Sequence, residues 1–171
     1  MRLAGEAIWR AYEGAGWAAM PLAAPYLKRR AARGKEDAAR FTEKLGRTAA
    51  PAPQTLSVWC HAVSVGEASA LLPLAAALSQ SQSVVFTTGT PMAAERVAAY
   101  GADLTHQYAP LDALPFLRRF AEQWQPALAS FAESEMWPAT VRFLSRRQVP
   151  IVQANARLSA RSGKRWRKMS F

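Results

Sequence analysis

A single cysteine, Cys60, and two histidines, His61 and His106, stand in a chain of 171 residues. One cysteine excludes an intramolecular disulfide. Two histidines beside it argue against a structural zinc site, which usually takes four such ligands, and scarce cysteine fits a reducing compartment. Acids are also few, 12 against 22 lysines and arginines, for a net charge of +10. The uncharged run Gly14–Leu27 has only 14 residues, against about 20 needed to cross a bilayer. Leu3–Tyr12 is interrupted by Glu6 and Arg10, and no Ala-x-Ala site precedes a mature-looking start, so no cleavable signal peptide is expected. The Gly-x4-Gly-Lys phosphate loop, internal repeats and low-complexity tracts are all missing.

What is present builds a core. Half the residues are apolar and 10% are aromatic, which suits one ordinary domain with a real core and argues against wholesale disorder. Charge is unevenly spread: ten basic against five acidic residues over 1–50, three against seven over 51–141, and nine against none over 142–171. Basic ends suit a solvated face, nucleic acid, anionic lipid or a phosphorylated substrate. Trp17, Met20, Leu22 and Tyr26, followed by Lys28, Arg29, Arg30 and Arg33, suit a segment lying in a membrane interface. The alternative is a hairpin buried on the domain. Residues 1–47 are expected to form this helical, membrane-associated segment, broken at Pro21 and Pro25. A stiff linker follows at 48–53, then a domain over 54–171.

From Leu56 the pattern alternates. Strands are expected at Leu56–Cys60, Ser83–Thr88, Thr105–Ala109, Pro126–Ala132 and Ile151–Asn155. Helices are expected at Glu67–Leu78, Met92–Tyr100 with Gly101 closing it, Asp112 (as cap) to Gln123, and Trp137–Arg147. This is the βαβ pattern of an α/β domain with a parallel sheet. Ser64 and Glu67, Thr87–Thr90, Asp112, Glu133–Glu135 and Asn155–Ser159 each follow a strand, so all fall along the carboxyl edge of one sheet, where ligands bind.

Each motif has two readings. Ser64-x-x-Glu67 is a capping box, with Glu67 reaching back to the Ser64 N–H; alternatively Glu67 is a general base for an acceptor hydroxyl. Gly66 allows either a tight turn or close approach of a ligand. Glu133 and Glu135 serve acid/base work, or Glu135 favours a helix dipole. Thr87-Thr88-Gly89-Thr90 is a hydroxyl-rich or capping loop. Arg157, beside Asn155 and Ser159, suits a phosphate or carboxylate, or is a surface arginine. His61 is a core histidine or a site residue.

Arg33-Gly34-Lys35-Glu36, Trp59-Cys60-His61-Ala62-Val63-Ser64-Val65-Gly66-Glu67, Thr87-Thr88-Gly89-Thr90-Pro91, Glu133-Ser134-Glu135-Met136-Trp137-Pro138 and Asn155-Ala156-Arg157-Leu158-Ser159-Ala160-Arg161-Ser162 occur in that order. Together they make the chain resemble the N-terminal domain of the 3-deoxy-D-manno-octulosonic acid (Kdo) transferases of lipopolysaccharide biosynthesis. The resemblance implies a Rossmann-like half of a GT-B glycosyltransferase at the cytoplasmic face of the inner membrane. It implies a lipid A precursor as acceptor and CMP-Kdo as donor, the latter bound by a C-terminal domain absent from these residues. It makes Glu67 the catalytic base and Glu135 a second catalytic carboxylate. Ser64, Gly66, Thr88, Arg157 and Ser159 become substrate-binding candidates, and no cofactor, metal set or nucleic-acid partner is implied. Ala139 replaces the usual Asn after Trp-Pro, and Met92-Ala93-Ala94 departs from the usual Thr-Gly region. The chain alone is expected to be inactive; the alternative is a non-catalytic, membrane-associated binding module from a truncated gene.

Overall fold

The structure, a computed structural model, describes residues 2–133 and 137–156. Five parallel strands form one sheet in the order β3-β2-β1-β4-β5: β1 (Ser57–Ala62), β2 (Ser83–Thr88), β3 (Thr105–Tyr108), β4 (Pro126–Ala132) and β5 (Ile151–Ala154). The chain winds outward from β1 through β2 to β3, then returns to the other side of β1 for β4 and β5. The order therefore reverses between β1 and β4, the place where open α/β sheets bind ligands.

Period-2 alternation splits each strand between two cores. Val58, Cys60 and Ala62 of β1 pack with Leu71, Leu72 and Ala75 of α2 (Val65–Ser79) and Val97 of α3 (Pro91–Ala98). Trp59 faces the other way, onto Phe120 and Trp124 of α4 (Leu114–Trp124) and Phe143 and Leu144 of α5 (Pro138–Arg146). Buried ladders of this kind, each large side chain contributing about 1.5–3 kcal/mol, are what fix the register. Burial also pushes the Cys60 thiol up to about 12, which makes it a core residue and not a nucleophile.

The N-terminal segment departs from expectation. Arg2–Ala31 is one continuous helix, α1, running through Pro21 and Pro25. The prolines are exposed and four residues apart, so the two lost hydrogen bonds fall on one outer flank. The inner face holds the helix: Ala23 and Leu27 are buried with Phe116 and Leu45, with Met20 and Ala24 packed against them. Met20 thus faces the domain and not solvent, whereas Leu22 is 69% and Tyr26 56% exposed. Glu6 and Glu13 of α1 pair with Arg142 and Arg146 of α5. Beyond α1 a short 3-10 turn, Phe41–Leu45, lies over the carboxyl ends of β2 and β3: the Lys44 side chain reaches Gly89 and its carbonyl accepts from Leu111 N–H. No described helix is long and apolar enough to cross a membrane.

Asp112 does not cap α4, whose N-cap is Ala113 with no side-chain bond. Its carboxylate instead accepts from the N–H groups of Ala139 (3.1 Å) and Thr140 (2.8 Å) at the start of α5. Pro115 at the second position of α4 removes one donor that a cap would have served, and the α5 terminus lies within reach.

Candidate active site

Glu67 enters the site through local sequence. Ser64 leaves β1 in extended geometry (φ −105°, ψ 166°) and N-caps α2. Its hydroxyl oxygen accepts from Glu67 N–H at 3.3 Å and its O–H donates to Glu67 Oε1 at 2.9 Å. The other carboxylate oxygen accepts from Val63 N–H at 2.8 Å. The capping box therefore closes one residue earlier than expected, on Val63 and not on Ser64 N–H, because the Ser64 hydroxyl has taken the nearer oxygen. The result is a half-buried carboxylate in the first turn of α2, where the helix dipole favours negative charge. It stands at the carboxyl end of β1, beside the β1/β4 reversal.

Gly66 is exposed and helical, and a Cβ there would meet no described atom within 4 Å. The tight-turn reading is therefore not what holds it; the backbone beside Glu67 stands open. Gly89 is the reverse case. A Cβ there would lie 2.9 Å from Val63 Cγ1, so only glycine lets the β2–α3 connection lie against the loop that carries Glu67.

The Thr87–Thr90 motif divides. Thr87 and Thr88 end β2 and are fully buried. Thr90 caps α3 by accepting from Ala93 N–H at 3.3 Å. Thr87 Oγ1 accepts from Trp59 Nε1–H at 2.8 Å and contacts His61 Nδ1 at 2.8 Å. With Nδ1 protonated, both rings donate to that oxygen and the hydroxyl proton points to the Cys60 carbonyl at 3.4 Å. His61 is thus a core histidine with its N–H satisfied, edge-on to Trp137 at 4.8 Å, and burial lowers its pKa to about 4. Thr88 Oγ1 bonds His106 Nε2 at 2.9 Å, and Arg40 donates to His106 Nδ1 at 2.9 Å. Arg40 fixes the tautomer, so Thr88 accepts from the ring and shapes the loop from beneath. Burial first, then Arg40, lower the His106 pKa to about 4.

Glu133 follows β4 with φ +53° and Asn155 follows β5 with φ +52°. Left-handed backbone at non-glycine residues costs roughly 1–2 kcal/mol and is enriched at functional edges. Glu133 N–H donates to the Ala154 carbonyl at 2.9 Å, so the two strand ends are tied together. Glu135, Arg157 and Ser159 lie outside the described residues. Among the described residues no group of three or more His, Cys, Asp or Glu side chains is placed to hold a metal ion.

Sequence reasoning missed Lys44 and quoted Glu36 only within the Arg33–Glu36 motif, without a role; the two form a buried ion pair at this same edge. Neither lies in a segment with a hydrophobic period, so spacing does not mark the pairing.

Residues 39–171 match the family model for 3-deoxy-D-manno-octulosonic-acid transferase (kdotransferase). Similar proteins include the 3-deoxy-D-manno-octulosonic acid transferase of Haemophilus influenzae, 45% identical over 129 residues that cover 72% of this chain and 30% of that protein. A probable mitochondrial 3-deoxy-D-manno-octulosonic acid transferase of Arabidopsis thaliana is 32% identical over 166 residues, 95% of this chain and 37% of that one. The Rickettsia felis transferase is 37% identical over 115 residues, 65% of this chain and 25% of that one. The chain spans about a third of the length of the curated relatives it matches.

Proposed function

Because the chain belongs to the Kdo transferase family of glycosyltransferases, we propose that it is the acceptor-binding domain of a GT-B enzyme that moves Kdo from CMP-Kdo to a lipid A precursor. The observation that carries this reading is Glu67, a carboxylate with one face held by Val63 and Ser64 at the β1/β4 reversal. Glu67 takes the proton of the acceptor hydroxyl as its oxygen attacks the anomeric carbon of Kdo and CMP departs. General base catalysis of this kind contributes about 10²–10⁴-fold. Ser64 orients the base, the open backbone at Gly66 lets the acceptor approach, and Thr88 supports the neighbouring loop. Glu135, Arg157 and Ser159, carried by the segments after β4 and β5, complete the site as second carboxylate and anion ligands.

We assign this chemistry to the cytoplasmic surface of the inner membrane, a reading that the outward face of α1 supports. From Ala11 to Tyr26 the exposed positions carry no charge, and Lys28, Arg29 and Arg33 follow in the open. An uncharged exposed stretch followed by a basic cluster suits a helix lying in a membrane interface.

The test is transfer of Kdo from CMP-Kdo to a lipid A precursor. A two-domain enzyme carrying this sequence as its N-terminal domain transfers. The 171-residue chain does not, because one side of the crevice cannot hold both substrates in reacting geometry. Turnover by the chain alone contradicts this assignment of roles.

A further inference from the structure

Two charged residues are buried among the described residues, Glu36 at 7% and Lys44 at 8% exposure. Lys44 Nζ lies 2.5 Å from Glu36 Oε2, and Arg30 Nε donates to Glu36 Oε1 at 2.7 Å. A buried ion pair is weak support for stability, since apolar residues of the same volume often serve as well. A second contact of Lys44 points to another role: its ammonium donates to the Gly89 carbonyl at 2.9 Å.

Gly89 is the residue whose missing side chain lets it lie on Val63, with a built Cβ 3.3 Å from both the Cα and the carbonyl oxygen of Val63. Thr90 Oγ1 adds a bond to that carbonyl at 3.4 Å. Val63 N–H is in turn the donor that holds Glu67 Oε2. The ammonium, the Gly89 carbonyl, Val63 and the carboxylate form one contiguous set of contacts.

We propose that Lys44 is a positioning residue for Glu67: anchored by Glu36 and Arg30, it clamps the Gly89 loop against Val63 so that the Val63 N–H meets the carboxylate. The clamp is a property of the chain by itself; only its catalytic consequence rests on Glu67 acting as base. Lys44→Met keeps the stem and removes the donor, but strands Glu36. Lys44→Met/Glu36→Gln removes both charges and separates stability from positioning.

The first readout is hydrogen exchange of the Val63 amide in the 171-residue chain, referenced to amides in the centre of β1. Loss of a charge-assisted restraint should speed Val63 exchange about tenfold or more in Lys44→Met. In Lys44→Met/Glu36→Gln the melting temperature should recover while Val63 exchange stays fast. Gly89→Ala leaves the ion pair intact and pushes Val63 from the same side, so it should also speed exchange. In the two-domain enzyme, Lys44→Met/Glu36→Gln should lose about 10–10²-fold in kcat with KM little changed. Unchanged Val63 exchange in Lys44→Met or Gly89→Ala overturns the clamp. So does exchange that recovers together with the melting temperature, since Lys44 then only neutralises Glu36. Normal kcat in Lys44→Met/Glu36→Gln beside an inactive Glu67→Gln overturns its catalytic consequence. Full turnover in Glu67→Gln removes the base assignment and leaves the exchange result standing.

Discussion

Asp112 Oδ1 receives both the backbone N–H of Thr140, at 2.8 Å, and its hydroxyl, at 2.7 Å. The carboxylate of the β3–α4 connection therefore closes the N-terminus of α5, and its second oxygen takes Ala139 N–H and the Tyr12 hydroxyl of α1 at 3.0 Å. Three separate elements meet on one side chain. The cap fixes the first turn of α5, which begins at Pro138, three positions after Glu135 in the sequence.

Asp112→Ala should destabilise the chain by about 2–3 kcal/mol, because charge-assisted bonds to half-buried donors are lost together. Asp112→Asn keeps one acceptor and should lose about half as much. Urea unfolding of both variants checks this; a loss below about 0.5 kcal/mol in Asp112→Ala would show that solvent replaces the cap.

Stability should fall steeply in mild acid. His61 and His106 have native pKa values lowered to about 4 from 6.5, chiefly by burial. The unfolded chain then binds more protons than the native one between these values, so the stability is fully present above pH 6.5 and is lost as pH falls toward 4. The two histidines together carry a few kcal/mol at the limit. Unfolding midpoints measured from pH 7.5 to 4.5 read the slope directly, and His106→Gln should flatten part of it. A midpoint independent of pH over that window would contradict neutral rings at His61 and His106.

Parts of this architecture are legible in the sequence and parts are not, for physical reasons. β2 and β4 fall at the expected residues, since short apolar, β-rich runs bounded by turn residues have few other conformations. Glu67 is legible because Ser-x-x-Glu before an apolar helix is a local device, although which N–H it serves depends on the competing Ser64 hydroxyl. The continuity of α1 is not legible. Proline content argues for a break, and only the packing of Ala23 and Leu27 on Phe116 overrides it. The Asp112 cap is a contact to residues 27 and 28 positions away, and the Lys44–Glu36 pair forms across a turn with no period. Local propensity carries neither.

Membrane docking should follow the outward face of α1 and not its composition. Leu22→Asp should weaken binding to anionic vesicles, whereas Met20→Ala, facing Arg119 and the domain, should lower stability and leave binding intact. Lys28, Arg29 and Arg33 contribute roughly 1 kcal/mol each in a salt-sensitive way. Arg30, turned onto Glu36, contributes less. Co-sedimentation of each variant with vesicles of neutral and of anionic lipid reads the difference. Equal binding by Leu22→Asp and the unaltered chain would exclude α1 as the docking face.

The central claim is that Glu67 is the base, and Glu67→Gln in the two-domain enzyme tests it most directly. The amide oxygen still accepts from Val63 N–H and the amide N–H donates to Ser64, so the cap and the fold survive. Ser64→Ala is the control, costing about 1 kcal/mol of stability through the lost cap. The measurement is the Kdo transfer rate beside the melting temperature for both variants. The account predicts a fall of about 10²–10⁴-fold in Glu67→Gln at a near-normal melting temperature, with more activity left in Ser64→Ala. Near-normal turnover in Glu67→Gln, or a loss that tracks unfolding alone, would make Glu67 a helix cap and contradict the claim.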